Sequence, residues 1–268
     1  MSKKEYDAIV VGSGPNGLSA AITLQQQGLS VLLIEGKGTL GGGMRTMELT
    51  LPGYHHDVCA AIHPMAMGSP FFSKLPLQDY GLEFIQPTLP AAHPLDHGEA
   101  AFLSKSLEET AQALGADGKT YRKLIQPVVD HWHELAPDAM APLSFPKHPW
   151  LMARFGLNAI RPASHLAGKF HFKEAKALWA GMAVHSIQPF TNWSSAAIAL
   201  VLSAVGHRYG WPIPKGGSQS IANAMAAYFS SLGGKIETNT YISSLSQLPS
   251  ASAVLFDVTP RQLLQIAG

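Results

Sequence analysis

The chain has 268 residues, long enough for one large or two modest domains, and its 46% hydrophobic and 14% charged residues exclude a disordered protein. The 19 Lys and Arg against 18 Asp and Glu leave a formal net charge of +1 without a run of basic residues, so we expect no nucleic-acid partner. The single cysteine, Cys59, excludes an intramolecular disulfide and a CxxC redox pair and is compatible with a reducing cytosol, so redox chemistry here requires a cofactor.

The N-terminal residues 1–7 are polar and lead directly into a strand-like segment. We therefore expect no secretion signal and a cytoplasmic protein. The longest apolar stretch, residues 196–205, is shorter than the ~20 residues that a transmembrane helix needs. The sequence predicts no membrane-spanning segment.

A strand, a glycine turn and a helix follow in that order. Residues 8–11 form a short apolar run typical of a strand buried on both faces of a parallel sheet. The helix that follows has apolar residues at helical spacing and ends at Gly28. Its N-terminus offers free N–H groups and a positive dipole end to a diphosphate. The turn between them is predicted to bind that diphosphate with Gly12, Ser13, Gly14, Pro15, Asn16 and Gly17.

Glu35 follows the second predicted strand, residues 31–34, at the edge where such sheets bind ligands. We expect its carboxylate to accept the ribose hydroxyls. A carboxylate there repels a 2′-phosphate, so FAD or NAD is predicted rather than NADP. The alternative is that the glycines only form a turn between a strand and a helix and bind no ligand. In that case the presence of Glu35 at the end of the second strand would be a coincidence.

A second glycine cluster covers residues 36–46 and lies within reach of the same phosphates. This arrangement resembles the extended motif of the glutathione-reductase-like FAD superfamily, in its amine oxidase and phytoene desaturase branch. In that branch the loop usually contains Gly-Gly-Arg, whereas here Gly43 takes the arginine's place and Arg45 follows two residues later. The resemblance implies that Arg45 contacts the flavin or a phosphate; an ordinary surface arginine is the alternative. The implied cofactor is FAD, and the implied contacts from this cluster are Gly36, Lys37, Gly42, Gly43, Met44 and Arg45.

Residues 51–64 concentrate titratable groups and are expected to face flavin and substrate. His56, Asp57, Cys59 and His63 match neither HExxH nor paired CxxC spacing, so we expect structural roles and no metal.

Residues 71–209 hold most of the prolines, two strand-like runs at 82–85 and 100–103, and several helical stretches. They predict an inserted α+β substrate domain, in which Asp117 caps a helix. Residues 149–157 are unusually apolar and include Arg154. Three roles remain open for them: a core helix, a peripheral membrane contact, or the path of an oily substrate.

The chain then returns through a Pro/Gly-rich loop, a helix and predicted strands at 235–238, 241–242 and 253–256. This return is similar to that of the desaturase and amine oxidase family, and Ile242 matches the adenine-contacting residue. The predicted fold is α/β, with a Rossmann-type FAD-binding domain in two parts, 1–70 and 210–268, and the substrate domain at 71–209. Phytoene-dehydrogenase-like and pyridine nucleotide-disulfide oxidoreductase domain-containing proteins are the most similar groups.

The resemblance implies an FAD-dependent dehydrogenase, desaturase or oxidase acting on a mostly apolar small molecule. The flavin performs the chemistry in such enzymes, so we assign no catalytic side chain. A flavin-assisted double-bond isomerase and a non-catalytic flavin-binding protein are the alternatives. Members of the family continue beyond the position of Gly268, through a glycine-rich segment that touches the ribityl chain and isoalloxazine. That leaves the FAD affinity and activity of this chain open.

Overall fold

The computed structural model describes residues 4–142 and 144–268. Within these residues the strands are β1 (Tyr6–Val11), β2 (Val31–Ile34), β3 (Thr46–Glu48), β4 (His55–Asp57), β5 (Phe84–Ile85), β6 (Ala91–Pro94), β7 (Ala100–Leu103), β8 (Ile213–Pro214), β9 (Lys235–Glu237) and β10 (Ala251–Phe256). The α-helices are α1 (Pro15–Gln26), α2 (Pro64–Gly68), α3 (Leu107–Ala113), α4 (Gly118–Asp130), α5 (Trp132–Ala139), α6 (Pro149–Ala159), α7 (Ala163–Ala167), α8 (Lys173–Ala183), α9 (Ser195–Tyr209), α10 (Gln219–Ser231) and α11 (Pro260–Ala267).

Two compact units divide the chain. The sheet-bearing unit holds the described residues up to Ile62, together with Pro76–Ile85 and Ile213–Gly268. The helical unit holds His63–Leu75 and Gln86–Pro212.

A four-stranded parallel sheet, in the order β10-β1-β2-β9, forms the centre of the sheet-bearing unit. Ile9 on β1 pairs with Val254 on β10 and with Leu32 on β2. Every side chain of β2 is buried, as are those of β1 from Ala8 to Val11. Burial on both faces explains why these strands are uninterrupted apolar runs in the sequence. The predicted α/β fold with a parallel sheet is confirmed.

The link from β1 to β2 forms as predicted. Gly12 has φ +102°, a value that glycine adopts without strain, and α1 begins three residues later with a proline in its first turn. Leu18, Ala21 and Ile22 are its buried apolar side chains. Gly28, at φ +79°, follows the last turn of the helix.

The helical unit is built around α9. This helix lies against α2, α4, α6, α7 and α8, and most of its residues are buried. The apolar run 196–205 is thus a central core helix. No helix in the described part of the chain is both long enough and apolar enough to cross a bilayer. One antiparallel hairpin, β6–β7, completes the α+β composition of this unit.

The bounds of the two units differ from the expected segments 1–70, 71–209 and 210–268. β5 pairs with β8, which brings Pro76–Ile85 back to the sheet-bearing unit. Conversely, α2 packs against α9, so residues 63–70 lie in the helical unit. Their assignment as FAD-binding and substrate domains stays a prediction.

Two local predictions are wrong. Residues 241–242 do not form a strand, although Ile242 is buried. Asp117 precedes α4 without capping it. Its fully buried carboxylate instead accepts hydrogen bonds from the N–H groups of His171 and Phe172, at 2.9 and 2.8 Å, just before α8. Partners more than fifty residues away leave no local signal in the sequence.

Candidate functional site

A cavity of about 540 Å³ opens where β1, β2 and β10 end, at the carboxyl edge of the parallel sheet. Open α/β sheets bind ligands at this edge. Most of the predicted site residues line it: Gly12, Ser13, Gly14, Pro15, Glu35, Gly36, Lys37, Gly42, Gly43, Arg45 and Ile242. The other predicted residues, Asn16, Gly17 and Met44, do not line it. The structure therefore brings most of the predicted residues together at one cavity, and their binding of a cofactor stays a prediction.

Close backbone packing fixes the glycine turn. A Cβ atom on Gly17 would overlap the carbonyl oxygen of Gly12, and one on Gly12 would overlap the carbonyl oxygen of Asp257. A Cβ on Gly14 would lie 2.6 Å from the Asp257 carboxylate. Larger residues at Gly12 and Gly17 would displace the backbone, so glycine is required at these two positions, whereas a Cβ on Gly14 would meet only the end of the Asp257 side chain.

Asp257 is a site residue that the sequence analysis missed. It follows β10, lines the cavity, and accepts a hydrogen bond from the N–H of Gly17 at 2.8 Å. Its carboxylate therefore caps the N-terminus of α1, although Gly17 is 240 residues away in the chain. The sequence signal is an acid directly after an apolar strand-like run, the same signal that identified Glu35.

Glu35 points toward the glycine turn. Its Oε2 accepts from the N–H and the hydroxyl of Ser13, at 3.0 and 2.5 Å, and its Oε1 accepts from the N–H of Lys37 at 2.9 Å. A carboxylate oxygen can accept two hydrogen bonds, so Oε1 retains capacity for a further donor. Glu35 thus holds the turn and keeps an acceptor for a ligand hydroxyl.

The glycine turn also contains backbone N–H groups that could donate to a ligand. Gly12 N–H donates to Ile34, Ser13 N–H to Glu35 and Gly17 N–H to Asp257. Pro15 has no N–H. The N–H groups of Gly14 and Asn16 have no acceptor among the described residues, and both lie at the positive end of the α1 dipole. Of these two donors the Gly14 N–H lies on the cavity lining, where it suits a diphosphate oxygen.

The second glycine cluster packs on the first. Gly41 N–H donates to the carbonyl oxygen of Ser13 at 3.0 Å, and a Cβ on Gly42 would lie 3.0 Å from the Cα of Gly14. Arg45 follows a short 3-10 turn, and its Nε donates to the Gly42 carbonyl at 2.8 Å. Met44 is buried and does not line the cavity. The charged lining residues are two acids, Glu35 and Asp257, and two bases, Lys37 and Arg45.

The segment 51–64 has structural contacts. The Asp57 carboxylate accepts from the Thr46 hydroxyl at 2.6 Å and from the N–H of Ser218 at 2.8 Å, and the Thr46 hydroxyl accepts from Gln219 N–H at 3.0 Å. The β3–β4 hairpin therefore supplies the cap for α10. His56 contacts the Thr50 hydroxyl at 2.8 Å. In the chain as described, no group of His, Cys, Asp and Glu is arranged to hold a metal ion.

The helical unit contains a buried titratable pair. Tyr121 and His207 are almost fully buried, and the Tyr121 hydroxyl lies 2.9 Å from His207 Nε2. Burial disfavours the charged imidazolium and lowers the pKa of His207 to about 4. Burial likewise raises the pKa of Tyr121. The two groups are neutral at pH 7 and belong to the core.

Comparisons with known proteins extend these observations. The model of the family described as flavin containing amine oxidoreductase matches residues 16–263. One of the subunits of limonene dehydrogenase from Castellaniella defragrans is 24% identical over 144 residues, which are 54% of this chain and 26% of that protein. Pyridine nucleotide-disulfide oxidoreductase domain-containing protein 2 of Rattus norvegicus is 35% identical over 82 residues, 30% of this chain and 14% of that protein.

Among solved structures, the CLA-producing fatty acid isomerase from P. acnes superposes with a TM-score of 0.62 at 16% identity. The superposition covers 99% of this chain and 62% of that one, and it shows a shared fold. The chain thus spans less than two thirds of the length of each of these relatives.

Proposed function

Because the chain belongs to the family of flavin-containing amine oxidoreductases, we propose that it is an FAD-dependent oxidoreductase that acts on a mostly apolar small molecule. The observation that carries the proposal is the cavity at the carboxyl edge of the sheet, where the glycine turn and Glu35 meet. FAD is the cofactor that the family indicates.

The residues present fit the adenosine diphosphate half of FAD. The N–H group of Gly14, which lines the cavity, would bind the diphosphate, assisted by the α1 dipole. Oε1 of Glu35 would accept a ribose hydroxyl. Ile242 and the neighbouring Tyr241 would contact the adenine. These assignments use only side chains and N–H groups of the sheet-bearing unit.

Arg45 and Lys37 have a charge role in this proposal. Both line the cavity, and together they offset the two carboxylates, so that the site does not repel a diphosphate. The Nε bond to Gly42 holds the Arg45 side chain against the second glycine cluster. Arg45 would then direct its remaining N–H groups to a phosphate or the flavin.

When bound, the flavin ring supplies the hydride acceptor. The protein's part is to bind and orient the cofactor and to exclude water from it. A dehydrogenase or desaturase resembling the phytoene desaturases is the subtype that we propose. Support comes from the name of one relative, limonene dehydrogenase, which identifies an apolar substrate for that protein.

Flavin spectroscopy separates the candidate functions. The purified protein is loaded with FAD and mixed anaerobically with apolar alkenes and with amines. Bleaching of the flavin band by a substrate is the expected result for an oxidoreductase. Double-bond rearrangement without bleaching would replace the proposal with a flavin-assisted isomerase. Bound FAD with neither response to any substrate would indicate a flavin-binding protein without catalysis.

A further inference from the structure

Helix α6 is apolar on two opposite sides. Leu151, Met152 and Phe155 pack against the core of the helical unit. Trp150, Leu157 and Ile160 instead face solvent, with exposed fractions of 90%, 63% and 52%. These three recur with Arg154 at positions i, i+4, i+7 and i+10, so they share one face, here called the Trp150 face. A helix that only packed on the core would carry polar residues on this side.

Neighbouring residues extend the Trp150 face. Ser194 N–H donates to the carbonyl oxygen of Ile160 at 2.8 Å, which places the 72% exposed Trp193 beside the end of the helix. Phe145, 86% exposed, precedes α6. Exposed aromatic side chains in such a concentration mark an interaction surface.

Basic residues predominate in the segment that carries this face, although the Asp138 carboxylate lies near the beginning of α6 and accepts from the N–H of Lys147 at 2.8 Å. Between Asp138 and Glu174 the sequence contains no acid, and its basic residues are Lys147, Arg154, Arg161, Lys169 and Lys173. Lys173 pairs with Glu99. Within residues 4–142 and 144–268, Lys147, Arg154 and Arg161 form no ion pair.

We propose that the Trp150 face docks on a membrane surface that carries anionic lipid headgroups. Tryptophan and leucine side chains favour the boundary between headgroups and acyl chains, and arginine beside them reaches the lipid phosphates. A second copy of the chain fits less well, because a symmetric contact would bring Arg154 residues together with no acid on the face to pair with them. This inference goes beyond the proposed function and does not depend on FAD.

Vesicle co-sedimentation tests the proposal. The protein is mixed with vesicles of phosphatidylcholine alone and with vesicles of equal parts phosphatidylcholine and phosphatidylglycerol, at low and high salt. We expect binding to the anionic vesicles that weakens with salt, and weak binding to the neutral ones. Light scattering without lipid reports any self-association.

Matched variants locate the contact. Leu157→Ala is expected to weaken vesicle binding roughly tenfold and Arg154→Glu at least about fivefold. Leu264→Ala and Arg261→Glu alter an exposed leucine and an exposed arginine of α11 and should leave binding unchanged. Unchanged melting temperatures confirm that each variant folds. Absence of vesicle binding, equal losses in the α11 variants, or a dimer that Leu157→Ala dissolves would each overturn the proposal.

Discussion

At the glycine turn, some backbone N–H groups form hydrogen bonds within the protein and others remain available to a ligand. Glu35 and Asp257 bind the N–H groups of Ser13 and Gly17, and the N–H group of Gly14 is left for an anion in the cavity. Both acids directly follow strands of the same sheet, the buried β2 and the partly exposed β10. Substitutions can therefore separate the role of each carboxylate.

Replacing Glu35 by Gln is expected to weaken the binding of ADP and FAD about tenfold to a hundredfold. The amide nitrogen cannot accept hydrogen bonds, so either the Ser13 and Lys37 N–H groups or the ribose hydroxyl loses its acceptor. Calorimetric titration with ADP and 2′-deoxy-ADP tells these apart. The wild type should prefer ADP by about tenfold, and Glu35→Gln should lose that preference. Equal binding of the two nucleotides by the wild type would show that Glu35 does not contact the 2′-hydroxyl of the ribose.

Asp257→Asn and Asp257→Ala should separate the effect of the Asp257 charge on FAD affinity from the effect of its hydrogen bond on stability. Asparagine can still accept the Gly17 N–H and removes a negative charge beside the diphosphate, so we expect binding roughly threefold to tenfold tighter. Alanine removes the cap and should cost about 1 kcal/mol of unfolding free energy. Urea denaturation and flavin fluorescence titration measure both quantities. Equal weakening of FAD binding in the two variants would mean that the charge itself is needed.

His207 predicts an acid-sensitive core. Its pKa is about 4 in the folded protein and near 6.5 when unfolded, so the unfolded state binds more protons between these values. Stability should fall as the pH is lowered from about 6.5 to 4, by up to roughly 3 kcal/mol. His207→Gln, which keeps an acceptor for Tyr121, should flatten this slope. Urea midpoints at several pH values provide the check, and an unaltered slope in the variant would rule His207 out as the cause.

At the scale of secondary-structure elements, the link from β1 through α1 to β2 positions the glycine turn and Glu35, which the sequence identified. The β1–α1–β2 link could be predicted because each signal in it is local: an apolar run, glycines at fixed spacing, and an acid after the next strand. Asp257, the Asp117 contacts and the β5–β8 pairing could not, because they join segments that are distant in the chain.

Two glycine-to-alanine substitutions contrast a required glycine with a dispensable one. Gly17→Ala places Cβ onto the Gly12 carbonyl, so we expect a loss of more than about 2 kcal/mol of unfolding free energy and of FAD uptake. Gly156, inside α6, has open space where a Cβ would lie, with no neighbouring heavy atom within 4 Å. Gly156→Ala should therefore stabilise the protein by about 0.5–1 kcal/mol. Thermal and urea unfolding test the pair, and wild-type stability of Gly17→Ala would contradict the packing described for the turn.

At the scale of the whole molecule, the family match and the parallel sheet with its cavity both indicate a flavin-binding protein. The family model covers residues 16–263, and the parallel sheet with its cavity lies in one compact unit. The bounds of the two units could not be predicted from the sequence. A change in composition at a Pro-rich stretch indicates a boundary, but it does not show that a later segment such as β5 pairs with the distant β8. Substrate and reaction remain proposals, since the chain spans only part of its relatives.

The central claim is that the sheet-bearing unit binds the adenosine diphosphate half of FAD in this cavity. Calorimetric titration of FAD into the protein, alone and in the presence of ADP, tests it most directly. We predict one FAD per chain and competitive displacement by ADP. Failure to bind FAD and ADP, or FAD binding that saturating ADP leaves unaffected, would contradict the account.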